Sequence, residues 1–205
     1  TGEGYIGYLS TRRTAVDPDQ RVAIHDHDRV VRQREVYVTY DRVAQWLHGY
    51  ARRCGLPLLV IGKDEDAAAD RRHYAQLFGS DDFAYSGRVR WDSSYRALDR
   101  CRLAVFTSSS LGYEAMGRGV RVGALLTWAE MTGSRSDLFG WPLELPADGP
   151  FWTHRHDEER FAEILDWLRS APDPEWAAVS RPIVERLITP DPMNIALRDV
   201  LTATR

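Results

Sequence analysis

Apolar residues in this chain fall into short unbroken runs separated by stretches of helical period. Residues 57–61 and 103–106 are continuous apolar segments of strand length, and 120–126 run apolar apart from Arg121, as expected for β-strands covered on both faces. Residues 83–86 form a shorter run closed by Gly87, and the β-branched run 36–39 predicts a further strand. Between these runs the period becomes helical. Val43, Trp46, Leu47 and Tyr50 mark a helix over 41–55; Tyr74, Leu77 and Phe78 mark one over 66–78; Tyr95 and Leu98 mark a short one over 93–101. Phe161, Ile164, Leu165 and Leu168 share one side of a helix over 157–170, and helices over 175–188 and 193–203 flank Pro190 and Pro192. Strand and helix alternate, which predicts an α/β fold: a Rossmann-like doubly wound parallel sheet with C-terminal helices. Residues 1–34 read as an irregular segment, a linker or active-site loop. Residues 35–170 read as the Rossmann-like domain, and 171–205 as helices packing on it.

The segment 102–127 organises this pattern. A buried strand leads into Ser108, Ser109 and Ser110, then a short helix over 111–116, then Gly117 and Gly119, then a second buried strand. This is a βαβ unit, and it puts the helix N-terminus at the carboxyl edge of a parallel sheet, where free N–H groups and the positive dipole end suit a phosphate. Gly112 falls in the first turn, where a side chain would block close approach of a ligand, and Glu114 lies one turn on, within reach of a ribose hydroxyl. The alternative is a plain serine-capped helix with Glu114 in water.

Composition narrows the function classes. With 205 residues and 43% hydrophobic content the chain can bury a sizeable core, and a net charge of −3 without a basic block argues against nucleic acid as the main partner. Arginine supplies nearly all positive charge; Lys63 is the one lysine. Cys54 and Cys101 lack zinc spacing and are too few for a disulfide framework, which favours a reducing, cytoplasmic setting. No apolar run approaches a membrane span, so contact with a membrane is expected to be peripheral at most. The chain starts at Thr1 without methionine, as an excised part of a longer protein would.

Two further features carry chemistry. In His25-Asp26-His27-Asp28, alternate positions would share one face of a strand, which could supply a base, a nucleophile or the start of a metal site; the alternative is a solvated loop. Residues 128–152 form a long segment rich in glycine, proline and aromatics. Trp141 and Trp152 in it are either an aromatic plug or platforms for sugar faces.

The runs Phe83-Ala-Tyr-Ser-Gly-Arg-Val, Ser94-Tyr-Arg-Ala-Leu-Asp, Leu103-Ala-Val-Phe and Glu114-Ala-Met-Gly-Arg-Gly-Val resemble the carboxy-terminal, donor-binding half of GT-B glycosyltransferases. Ser109-Ser-Leu-Gly-Tyr-Glu-Ala with Phe139-Gly-Trp-Pro is similar to a bacterial surface-carbohydrate (O-antigen or capsule) biosynthesis group, with transferases of CMP-linked Kdo-like sugars among its relatives. The resemblance implies a glycosyltransferase with a nucleotide sugar as substrate, no resident cofactor or metal, and a glycan or lipid-linked acceptor. It also implies that 35–170 is the nucleotide-sugar-binding domain, and that an amino-terminal half or partner subunit, on which the helices of 171–205 could pack, is missing. Carried onto this sequence, Ser108, Ser109 and Ser110 would hold phosphate, Glu114 would bind ribose, Tyr85, Arg88 and Arg90 would wall the base, and Lys63 would meet phosphate or a sugar acid. Asp26, His27, Asp28 and Asp41 are the candidate catalytic groups. Retaining members carry a second glutamate two turns earlier; Phe106 stands there here, so the stereochemical outcome stays open. A CDP-polyol phosphotransferase and a non-catalytic nucleotide- or partner-binding module are the alternative functions.

Overall fold

The structure is a computed structural model and describes residues 4–13, 15–24, 26, 28–64 and 66–188. The chain opens with β1 (Tyr5–Leu9), a hairpin of β2 (Arg21–Ile24) and β3 (Arg29–Arg32), and the long helix α1 (Gln33–Arg53). Then come β4 (Leu58–Ile61), α2 (Ala67–Phe78), β5 (Ala84–Ser86), α3 (Ser93–Leu98), β6 (Cys101–Phe106), α4 (Ser110–Gly117) and β7 (Arg121–Leu125). Helix α5 (Thr127–Thr132), a 3-10 turn at Arg135–Asp137, the short strands β8 (Asp148–Gly149) and β9 (Trp152–Thr153), and helices α6 (Glu158–Ser170) and α7 (Asp173–Leu187) complete it.

Seven strands form one sheet in the order β5-β4-β1-β6-β7-β9-β8, parallel throughout except where β8 meets β9. The chain runs outward from β1 through β4 to β5, then crosses back to β6 on the other side of β1. Strand order therefore reverses between β1 and β6. Loops leave that point in opposite directions and open a crevice at the carboxyl edge. Ile6, Leu9, Leu59, Val60, Leu103, Val105 and Phe106 are buried along the central strands, while α6 lays Ile164 and Leu168 against Gly123 of β7.

Two expectations from the sequence are corrected. The segment 1–34 is not an irregular linker: its patch Tyr5–Leu9 is the central strand, in register with Leu58–Ile61 on one side and Cys101–Phe106 on the other. The run 36–39 is not a strand. Val36, Tyr37, Tyr40, Val43, Ala44, Leu47, Tyr50 and Ala51 are all buried on one side of α1, while Val38 is 60% exposed. Four β-branched or aromatic residues favour a strand locally, but a helical stripe four turns long buries far more surface. Glu35 closes the helix start by accepting from the Arg32 N–H at 2.6 Å.

The β2–β3 hairpin is a strap. Ile24 and Val31 pack with Val36, Tyr37, Tyr40 and Trp128 in a small second core. Arg29 donates to the Met131 carbonyl at 2.9 Å, and Asp26 accepts from the Ser134 hydroxyl and from the Arg135 N–H. The hairpin thus binds the start of α1 to the segment after β7. Helix α7 closes the opposite end of the core, with Trp176 edge-on to Phe151 at 5.2 Å. The predicted helix over 193–203 lies outside the described residues. Among the described residues no helix is long and apolar enough to cross a membrane.

Candidate functional site

The carboxyl ends of β1, β4 and β6 converge on a cleft of about 320 Å³ lined by Leu9 and Ser10, by Gly62 and Lys63, and by Ser108, Ser109 and Ser110. Arg88, Trp91, Tyr95 and Glu114 close its outer side. It sits where strand order reverses, the position at which open α/β sheets bind ligands. Helix α4 points its N-terminus into this cleft. Ser109 is its N-cap in extended conformation, but its hydroxyl makes no capping bond, and Ser110 is already the first helical residue. The Ser109 hydroxyl is therefore not spent on the helix, and the N-cap supplies no side-chain cap to the first-turn N–H groups. This corrects the expectation of a serine-capped helix. Glu114, one turn on, accepts from the Tyr95 hydroxyl, and Arg118 lies over the Tyr95 ring at 5.2 Å while pairing with Asp99.

A second, larger lobe of about 600 Å³ adjoins the first and shares Lys63, Arg88 and Trp91 with it. Arg13 from the loop after β1, Asp64 and Arg90 complete its polar lining. Burial holds the Lys63 ammonium below the usual lysine range, and the nearby Arg13 charge adds to the effect. A partly desolvated cation beside a second cation favours an entering anion. Asp64, in the same lining, accepts from the Asp66 N–H at 2.9 Å. Trp91 is 79% and Val89 86% exposed at the mouth of this lobe, leaving the indole as an open flat surface.

Under the β4 end lies a buried polar group. Asp70 is fully buried, accepts from the Tyr85 hydroxyl at 2.7 Å, and has its other oxygen unpartnered. Burial pushes its carboxyl up to about 6. Gly62 accommodates this pair: a Cβ there would sit 2.1 Å from the Tyr85 oxygen.

The structure brings Lys63, Arg88, Ser108, Ser109, Ser110 and Glu114 into the first lobe and Arg90 into the second. It places the other candidates elsewhere. Tyr85 is turned to Asp70 and lines neither lobe. Gly112 is buried, and the space beside it is filled by Phe106, whose ring carbons would lie 2.3 Å from an added Cβ; packing, not ligand approach, requires glycine there. Asp41 pairs with Arg12 at 3.1 Å and with His73 at 3.0 Å. Asp26 holds the Ser134–Arg135 turn, and Asp28 is exposed away from both lobes. His27 lies outside the described residues, as does His25. Trp152 is 5% exposed, donates to the Pro146 carbonyl and packs on Phe139 and Phe151, so it is a plug rather than a sugar platform. Trp141 is 55% exposed. Among the described residues no cluster of three or more His, Cys, Asp or Glu side chains could hold a metal.

Sequence reasoning missed Arg13, Trp91 and Tyr95. The signal for Arg13 was present: reading Tyr5–Leu9 as a strand places the following Ser-Thr-Arg-Arg at a carboxyl edge. In the sequence Tyr95 is only one of the apolar marks of a short helix, and only the approach of α3 to α4 reveals its contact with Glu114.

Among solved structures the chain is similar to TarM, with 17% identity over 98% of this chain and a TM-score of 0.52. It spans about a third (34%) of the length of TarM. The catalytic domain of cholesterol-alpha-glucosyltransferase from Helicobacter pylori aligns with 89% of this chain and 99% of its own, at 14% identity and a TM-score of 0.49. The likeness to TarM bears on the fold alone, which is the expected Rossmann-like α/β arrangement. No curated protein matches. A family model described as "putative O-antigen biosynthesis protein" matches residues 3–205, and the chain belongs to that O-antigen biosynthesis family.

Proposed function

We propose that the chain is the donor-binding half of a glycosyltransferase that builds a bacterial surface glycan, and that the two-lobed cleft takes a nucleotide sugar. One observation carries the reading: the N-terminus of α4 with its serine turn, Lys63 and Arg88 meet in one cleft at the point where strand order reverses. Helix dipole, N–H groups and cations act together there on an anionic phosphate. Glu114, bonded to Tyr95, would accept from ribose hydroxyls, and the exposed Trp91 face would offer a surface for the base. In the transfer itself an acceptor hydroxyl oxygen bonds to the anomeric carbon. The carbon–oxygen bond to phosphate breaks with its electron pair going to the nucleotide, and the hydroxyl proton passes to a base. The cations and α4 would stabilise the departing phosphate. Supply of the base by another part of the enzyme is consistent with the chain's coverage of a third of TarM.

Within this reading the first-choice donor is a CMP-linked, Kdo-like sugar acid. Such a donor carries one phosphate and one sugar carboxylate, and Arg13 and Arg90 extend the positive lining beyond Lys63 and Arg88 into the larger lobe. Calorimetry with CMP, CDP, UDP and GDP tests both levels. Binding of any of them that weakens about 10-fold or more in Lys63→Met and in Glu114→Ala supports the site, and a preference for CMP supports the donor. No binding of any nucleotide by the folded chain refutes the proposal and leaves a partner-binding module.

A further inference from the structure

The serine turn has two faces. One looks into the cation-lined cleft; the other looks into a separate cleft of about 280 Å³ between α4 and the segment after β7. Its lining differs in kind. Hydroxyls come from Thr107, Ser108–Ser110, Tyr113 and Ser136, a carboxylate from Asp137, and aromatic surface from Phe106, Tyr113 and Trp128. Among the described residues no lysine or arginine lines it.

The polar groups of this cleft are fixed in place. Asp137 accepts from the Thr132 hydroxyl at 2.9 Å, and Ser136 shares a 2.9 Å hydrogen bond with Ser134, which is itself tied to Asp26 of the hairpin. Thr107 lies at the floor of the cleft, 1% exposed, with its hydroxyl beside that of Tyr8, which donates to the Tyr40 carbonyl.

Hydroxyl donors and acceptors, one carboxylate and an indole edge, with no cation, do not suit an anion. They suit a neutral polyhydroxylated ring, whose hydroxyls bridge to carboxylate and hydroxyl oxygens while its C–H face lies on an aromatic. We propose that this cleft is a binding subsite for a neutral sugar, the acceptor residue of the glycan. This rests on the donor occupying the cation-lined face. Ser108, Ser109 and Ser110 border both clefts, so the two ligands would meet across the serine turn.

The two clefts carry separate reporters, Trp91 on the cationic face and Trp128 on the neutral one. The experiment follows the indole N–H signals of both by NMR while the chain is titrated with CMP and then with methyl glycosides of neutral hexoses and 6-deoxyhexoses. The expected result is a saturable shift at Trp128 with at least one glycoside, undiminished by saturating CMP. That glycoside's dissociation constant should rise about three- to tenfold in Asp137→Asn and in the surface variant Ser136→Ala, as for a lost hydrogen bond. No shift at Trp128 with any glycoside, or a shift unaltered in both folded variants, overturns the subsite. Shifts at Trp91 with CMP read the donor proposal independently, so either can fail alone.

Discussion

Replacing Gly112 by alanine would place a methyl carbon 2.3 Å from the Cγ and Cδ1 of Phe106, whereas carbons in contact sit about 3.5–4.0 Å apart. The ring must retreat by on the order of 1 Å. It has nowhere to go, being fully buried edge-on to Tyr113 at 5.3 Å and beside Phe139 at 6.5 Å. Overpacking of this kind costs about 1–3 kcal/mol, and in a chain of this size that lowers the unfolding midpoint by roughly 3–10 °C. The same movement would push on the serine turn, because Phe106 ends the strand that leads into it. Thermal and urea unfolding of Gly112→Ala, Phe106→Leu and the double variant would measure the coupling. The steric account requires the double variant to be more stable than the sum of the single losses by about 1 kcal/mol or more. Additive losses would refute it. So would a Gly112→Ala protein of unchanged stability that no longer binds nucleotide, since that is what a glycine kept for ligand approach would show.

The buried Asp70 carboxyl, pushed up to about 6, holds its proton more tightly in the folded chain than in the unfolded one. Folding stability should therefore fall as pH rises from about 4 to 6 and level off above. Asp70→Asn keeps an acceptor for Tyr85 and should flatten that slope in calorimetric melts, adding on the order of 2 kcal/mol at neutral pH; an unchanged slope would sink the assignment. Ser109→Ala should leave the melting temperature within about 1 °C, because no capping bond is lost, while weakening nucleotide binding. A drop of several degrees would mean that the hydroxyl does cap α4.

The central strands and helices were legible in the sequence wherever one pattern ruled. The runs at 57–61 and 103–106 had no helical competitor, and the helix over 157–170 showed its stripe of Phe161, Ile164, Leu165 and Leu168. Failures came where short-range and long-range signals conflict. Val36-Tyr-Val-Thr is strand-like over four residues and helical only over twenty, and Tyr5–Leu9 is an ordinary apolar patch until its partners on both sides are known. The site divides in the same way. The serine turn, Lys63 and Glu114 could be placed by their positions at strand ends, because topology alone carries those ends to one edge. The roles of Tyr85, Asp41 and Asp26 depended on which side chain each would meet, and Asp70, Arg12, His73 and Ser134 are remote in sequence.

The reversal of strand order also sorts charge. Arg13, Lys63, Arg88 and Arg90 all follow strands on the β1 side of the switch, whereas Asp137, Ser136 and Trp128 follow β7 on the other. Ions therefore have a preferred side of the serine turn before any ligand arrives, and neutral hydroxylated molecules have the other. Charge–charge attraction across an open, water-filled cleft is screened over about 10 Å at 0.1 M salt and about 3 Å at 1 M. Hydrogen bonds to a neutral ring carry no such dependence. Raising salt over that range should weaken CMP binding several-fold while leaving glycoside binding at Trp128 unchanged. Equal salt sensitivity at both indoles would mean that a single site serves both ligands. Insensitivity at Trp91 would mean that the arginines and Lys63 are not what holds the nucleotide.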